Sequence, residues 1–183
     1  NLAATDQATD TPTNNFSTMN PLDNYYATSV FSEGNLHIVT NSSNYPSTTS
    51  TIGVSSGKWY FEVEADATSG STHYYHIGVV STPVTANDQY PGANTNDWGW
   101  RGDNGSVSTG GSTVDTYSTY TTGDIVGIYL DLDNNKLYFS KNGTIENSGT
   151  GIDITAPAST SLGFYFLGLT FNASTQTGTF KVN

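Results

Sequence analysis

From Phe16 onward the chain alternates short apolar runs with clusters of Gly, Ser, Thr, Asn and Asp, a pattern of strands separated by turns. The clearest run is Trp59-Tyr60-Phe61-Glu62-Val63-Glu64-Ala65. Trp59, Phe61, Val63 and Ala65 fall on one face, and Glu62 and Glu64 on the other. That is the period of two of a half-buried strand. In 125–133, Val126, Ile128, Leu130 and Leu132 share a face, which Leu137 and Phe139 extend onto a partner strand at 136–141. Between them Asp133-Asn134-Asn135 reads as a hairpin turn. Residues 162–171 (LGFYFLGLTF) are apolar on both faces and predict a central or doubly covered strand. Further strands are expected at 25–31, 35–40, 51–54, 73–80 and 178–182, about twelve in all, with a long loop at 81–96. No helix longer than a turn or two and no repeat period is expected. So many short strands predict an all-β antiparallel sandwich of two packed sheets. Residues 1–15 (NLAATDQATDTPTNN) are polar and aperiodic, and read as an N-terminal arm or linker before a domain at 16–183.

Composition narrows the class. At 183 residues the chain is one domain, large enough to bury roughly 70% of its unfolded surface without staples. Gly (19), Thr (29), Ser (21) and Asn (18) make up nearly half of it, so a helical bundle would be built from poor helix formers. With no cysteine, disulfides and cysteine zinc sites are excluded. Five basic residues against sixteen acidic ones, a net charge of −11, cannot neutralise a phosphate backbone, which argues against nucleic acid as a partner. No apolar run approaches the roughly 18 residues of a membrane helix, so no membrane insertion is expected. Scarce Lys beside abundant Thr, Ser, Asn and Gly points to a virion surface or an extracellular setting. The sequence starts at Asn1 without an apolar signal region, and reads as a processed or excerpted piece.

Four stretches together resemble the SPRY domain. They are Gly57-Lys58-Trp59-Tyr60-Phe61-Glu62-Val63, Ile77-Gly78-Val79-Val80, residues 123–133 (GDIVGIYLDLD) and Lys136-Leu137-Tyr138-Phe139-Ser140-Lys141-Asn142-Gly143. Order and spacing agree from about 51 to 183, and 123–143 is the most specific part. Phe180-Lys181-Val182-Asn183 looks like the family's last strand. The opening 12–22 (PTNNFSTMNPL) is similar to a lead-in found before such domains in phage and environmental virus proteins. The resemblance implies a concanavalin-like jelly-roll sandwich used for binding, with specificity in its loops and no shared catalytic apparatus.

Several local patterns carry candidate chemistry. Asp131-Leu132-Asp133-Asn134-Asn135 places oxygen ligands as a calcium loop does, but Lys136 and Asn142 stand where Gly and Glu are needed, so it reads as a hairpin turn. Glu62, Glu64 and Asp66 set three carboxylates on one strand face, faintly like a jelly-roll glycoside hydrolase. Neighbours on that face are about 6.6 Å apart, wider than the roughly 5–5.5 Å of a retaining pair. Arg101-Gly102-Asp103 spells the integrin tripeptide within a turn. His73 and His76 point to opposite faces of a strand and cannot share a metal, and His37 is remote. No metal or cofactor is expected. No Gly-x-Ser-x-Gly elbow occurs, and Gly110-Gly111 lacks a phosphate-loop lysine. Asn-x-Ser/Thr sequons stand at Asn15, Asn41, Asn104, Asn142 and Asn172.

Trp98 and Trp100 flank Gly99 and precede Arg101, the only arginine. Trp, Tyr and Arg dominate interface energetics. The candidate binding residues are therefore Trp98, Trp100, Arg101, Asp103, Tyr90, Tyr117 and Tyr120, with a contact face from loops 66–73, 81–97, 101–105 and 109–118. A structural alternative places one Trp in the core and pairs Arg101 with a nearby acid. Two non-enzymatic roles follow. In the first the chain is a fibre, decoration or assembly subunit of a virion or filament, partnered with itself or other virion proteins. In the second it is a recognition module for a cell-surface glycan or protein. A jelly-roll glycoside hydrolase is the remote third.

Overall fold

A computed structural model describes residues 16–24, 29–40, 45–71, 73–86, 89–172 and 176–183. Among them are fifteen strands: β1 (Met19–Asn24), β2 (Val30–Ser32), β3 (His37–Thr40), β4 (Thr48–Ser50), β5 (Lys58–Thr68), β6 (Tyr75–Val80), β7 (Trp98–Arg101), β8 (Ser106–Thr109), β9 (Ser112–Thr116), β10 (Ile125–Asp131), β11 (Lys136–Lys141), β12 (Thr144–Ile145), β13 (Ile152–Asp153), β14 (Phe166–Phe171) and β15 (Gly178–Val182). They form two antiparallel sheets. One runs β1-β4-β14-β6-β7-β8-β9. The other runs β12-β11-β10-β5-β15-β3-β2, with β13 also paired to β11. The helices among the described residues are two three-residue 3-10 turns, 147–149 and 157–159.

The period of two decides what faces inward. Phe61, Val63 and Ala65 of β5, Val126, Ile128 and Leu130 of β10, and Leu137 and Phe139 of β11 are buried on one face. Tyr75, Ile77 and Val79 of β6 and Leu167, Leu169 and Phe171 of β14 meet them from the other sheet. Ring pairs cross the interior, Tyr75 on Phe180 at 5.2 Å and Trp100 against Phe139 at 5.7 Å. Leu132 closes the β10–β11 turn from inside, and Asn135 takes the left-handed conformation (φ 52°) that the turn needs.

The structure departs from the sequence reading in several places, among them strand β1 at 19–24, where no strand was expected. Strand β4 lies at 48–50, and 51–54 contributes one bridge, Val54 to Tyr165. Residues 162–165 precede β14 rather than belong to it. Within 98–116, where a turn at 101–103 and loops at 101–105 and 109–118 were expected, a three-strand meander β7–β8–β9 builds one edge of its sheet, so much of the loop 109–118 is strand β9. Strands β8 and β9 are mostly Ser and Thr with a single Val each, which hid the period. Trp59 begins the inward-facing row but stays 45% exposed, because it lies at the open end of the sandwich. The arm at 1–15 lies outside the described residues, as do 25–28 of the expected strand 25–31.

Candidate recognition site

Three strands of the seven-stranded sheet read apolar-Gly-apolar: Ile77-Gly78-Val79, Trp98-Gly99-Trp100 and Leu167-Gly168-Leu169. Their registers align the glycines, Gly168 opposite Gly78 and Gly78 opposite Gly99. The apolar neighbours face the core, so the glycines form a side-chain-free row across the outer face. Residues 90–94 lie in it. A Cβ on Gly99 would overlap the Pro91 carbonyl oxygen, and one on Gly168 would approach the Pro91 ring at 3.1 Å. The segment is anchored at its base by buried Asp97, whose carboxylate accepts the Ser81 backbone N–H (2.7 Å) and the Asn94 side-chain N–H (3.0 Å). Burial raises the Asp97 pKa, against the lowering effect of these donors.

This seating brings Tyr90 onto an aromatic cluster. Tyr90 stacks on Tyr45 at 4.6 Å, and His76 meets Tyr90 at 4.7 Å and Tyr45 at 5.6 Å. Arg101 pairs with His76 across β6 and β7. Its guanidinium lies 5.1 Å over the Tyr74 ring and grips Asp103 by two bonds, Nε to Oδ1 at 2.5 Å and an Nη to Oδ2 at 2.8 Å. Burial opposes the Arg101 charge, and the Asp103 carboxylate outweighs it, so the pKa stands above its ordinary value. The His76 ring is buried, which with nearby Arg101 pushes its pKa down to about 3, so it is neutral at physiological pH. Tyr45 holds a left-handed backbone (φ 49°). For a bulky residue that conformation is costly and concentrates at ligand clamps.

Of the seven expected contact residues, Tyr90, Arg101 and Asp103 come together here. Trp100 and Tyr120 do not: they are 0% and 1% exposed and belong to the core. Trp100 shares the inward parity of β7, because Gly99 and Arg101 take the outer face. Tyr120 turns under the sheet, its ring 4.8 Å from Trp100 and its hydroxyl donating to the Trp100 carbonyl at 2.7 Å. Tyr117 is half-buried with its ring edge-on to Trp100 at 5.8 Å, and burial beside Asp115 pushes its pKa up to about 12. Trp98 is half-buried and packs on the core margin. The sequence reading missed Tyr45, Tyr74 and His76 as partners of Arg101. The signal for them was the glycine at the polar parity of three otherwise apolar strands.

The other candidate chemistries are answered by side-chain partners. Asp131 holds Lys58 (2.8 Å) and Asn134, and Asp133 accepts the Gly57 N–H, so the acidic hairpin is internally satisfied. Glu62 accepts the Tyr60 hydroxyl, and Lys181 bridges Glu64 and Asp66 on an open sheet face. Among the described residues no group of three His, Asp or Glu side chains is placed to hold a metal. Ser32, His37 and Asp66 line up in sequence, the hydroxyl 2.9 Å from Nδ1. The Nε2–carboxylate gap of 3.6 Å exceeds a hydrogen bond, and Lys181 already neutralises Asp66. This row lacks the buried, tightly bonded carboxylate that orients the imidazole of a serine hydrolase. No helix among the described residues is long and apolar enough to cross a membrane.

Comparison with known proteins gives the shape a family. The SPRY domain profile matches residues 58–176. Ran-binding protein 9 of Danio rerio is 35% identical over 88 residues, covering 48% of this chain and 14% of that protein. Human Ran-binding protein 9 shows the same identity over 12% of its length. The matched stretch therefore spans about one seventh or less of either relative's length. The SPRY domain of human HERC1 superimposes with a TM-score of 0.68 at 20% identity, covering 84% of this chain and 91% of that one. Stonustoxin superimposes with a TM-score of 0.68 at 18% identity, covering 91% and 27%. The virion or filament setting expected from composition draws no support from these relatives.

Proposed function

Because this chain belongs to the SPRY domain family, we propose that it is a protein-recognition module that grips its partner at the Tyr45–Tyr90–Arg101 face, backed by buried His76. The carrying observation is the half-buried Arg101 between Asp103 and Tyr74, beside a stacked aromatic cluster clamped by a left-handed tyrosine. Desolvated Arg and Tyr side chains held rigid by their neighbours make interface hot spots, since little rotamer entropy remains to be lost on binding. Both charges of the Arg101–Asp103 pair have open bonding capacity, so a partner carbonyl or amide can join without breaking it.

The test begins with selection of a displayed random-peptide library on the purified chain. Enriched peptides are then measured against Tyr90→Ala and Arg101→Lys. Each variant is expected to weaken binding at least tenfold, with the melting temperature moved by only a few degrees. Enriched peptides that bind both variants as well as the parent sink the reading. For the setting, the support is compositional: a charge of −11 and few lysines suit an extracellular or virion-surface protein. If the chain also assembles there, light scattering gives a defined multiple of 19.5 kDa that falls on removal of residues 1–15. A monomer leaves recognition alone.

A further inference from the structure

The glycine row seats the 90–94 segment, and a second pair of glycines holds that segment by its carbonyls. Gly110-Gly111 forms the tip of the β8–β9 hairpin, between the register partners Thr109 and Ser112. Both glycines are left-handed, φ 59° and 72°, which is the two-residue turn of type I′. Such a turn pairs its flanking residues and leaves the two central N–H groups without a partner inside the hairpin. Here both are aimed at one segment. The Gly110 N–H donates to the Asn94 carbonyl at 3.0 Å, and the Gly111 N–H to the Gly92 carbonyl at 2.9 Å. Gly92 is itself left-handed (φ 97°), and a Cβ there would stand only 2.6 Å from the Ser108 carbonyl oxygen of β8. The Ala93 N–H returns to the Tyr90 carbonyl at 2.8 Å, closing a turn that begins on Tyr90.

Conformation, not space, is what demands glycine at the hairpin tip. A Cβ on Gly110 would stand 3.7 Å from the Thr95 hydroxyl oxygen, and one on Gly111 3.7 Å from the Ala93 carbonyl oxygen, both ordinary contacts. A side chain therefore fits at either position. The left-handed backbone is the obstacle, and it is costly for alanine but tolerated by asparagine.

We infer that the Gly110-Gly111 turn is the positioning device for Tyr90 in the recognition face. Its two amides fix the 92–94 backbone, the Ala93–Tyr90 turn carries that position to Tyr90, and the Tyr90 ring is thereby held on Tyr45 at 4.6 Å. The clamp stands on these bonds, while its effect on binding rests on the recognition reading above. A tyrosine set in place beforehand loses little freedom on docking. Molecules in which the turn is undone lower the apparent affinity in proportion to their number.

The experiment compares Gly110→Ala with Gly110→Asn, the second giving the Asn-Gly pair that favours the same turn. Two readouts are taken on each folded variant. One is the nuclear Overhauser contact between the Tyr45 and Tyr90 rings, with the amide shifts of 90–94. The other is the affinity for the peptide most enriched on the parent chain. Gly110→Ala is expected to weaken the ring contact and shift 90–94, to leave β10 and β11 unmoved, and to lower peptide affinity roughly tenfold. Gly110→Asn is expected to restore both readouts, although its side chain is the larger. If Gly110→Ala does not fold, Gly111→Ala breaks the same turn and gives the same readouts. An intact ring contact in the alanine variant overturns the inference, and so does equal displacement by alanine and asparagine. Displacement of Tyr90 without loss of peptide affinity upholds the clamp and removes Tyr90 from the recognition reading instead.

Discussion

His76 sits with its ring against Tyr45 and Tyr90 and beside Arg101. Burial, and then the guanidinium, take its pKa from 6.5 down to about 3. Between those limits the unfolded chain binds a proton that the folded chain refuses. Its contribution to stability is intact above about pH 6.5 and is lost progressively as the pH falls toward 3. At pH 5 that loss is about 2 kcal/mol, taking about 1.36 kcal/mol per pH unit. Asp97 acts with the opposite sign, since burial raises its pKa and acid relieves the cost of its charge. Thermal unfolding of His76→Gln is therefore expected to show a flatter pH dependence than the parent between pH 6.5 and 5. An unchanged slope would mean that the ring is hydrated. Trp100→Ala tests a different residue-scale claim. It removes the largest fully buried side chain and is expected to cost about 3–5 kcal/mol by denaturant unfolding. Tyr120→Phe deletes the hydroxyl shared between the Trp100 carbonyl (2.7 Å) and the Tyr75 carbonyl (3.2 Å) and is expected to cost about 1 kcal/mol.

Among the elements, strand β7 shows where local reading succeeds and where it stops. Trp98-Gly99-Trp100-Arg101 was legible as important, and the alternation that puts both tryptophans on one face is plain in the sequence. Which face is inward was not legible, because that depends on what covers the other side. The answer lies at Gly99, over which Pro91 is laid by a segment eight residues upstream. Strands β5, β10, β11 and β15 were readable because one face is apolar and one polar, so a single period assigns them. Strands β8 and β9 were not, since they are mostly Ser and Thr, and the single buried valine of β8, Val107, is too little to set a period. Arg101 and Tyr90 could be nominated from residue type, while Tyr45, far away in the chain, joins them only through tertiary packing. The glycine row yields a prediction for the element it seats. Gly99→Ala is expected to lift 90–94 and weaken peptide binding at least tenfold, at about 1–3 kcal/mol of stability. Amide shifts should change along 89–99 and stay constant along β10 and β11.

For the whole molecule, the feature with the widest reach is the place of β15, last in sequence yet central in its sheet, between β5 and β3. Strands β2 and β3 join the sheet only through it. Removal of 178–183 is accordingly expected to abolish cooperative unfolding, which calorimetry checks directly. Folding dominated by such distant pairings should take roughly milliseconds to seconds. In a cell the same arrangement becomes a matter of waiting. The last residue of β5, Thr68, and the first of β15, Gly178, are separated by 110 positions. At roughly 5–20 residues per second of synthesis, the edge of β5 stands uncovered on the ribosome for roughly 5–20 seconds. Glu62, Glu64 and Asp66 run along that waiting strand. Their charge guards it against pairing with other nascent chains, a task that ends when Lys181 arrives and is clasped by Glu64 and Asp66.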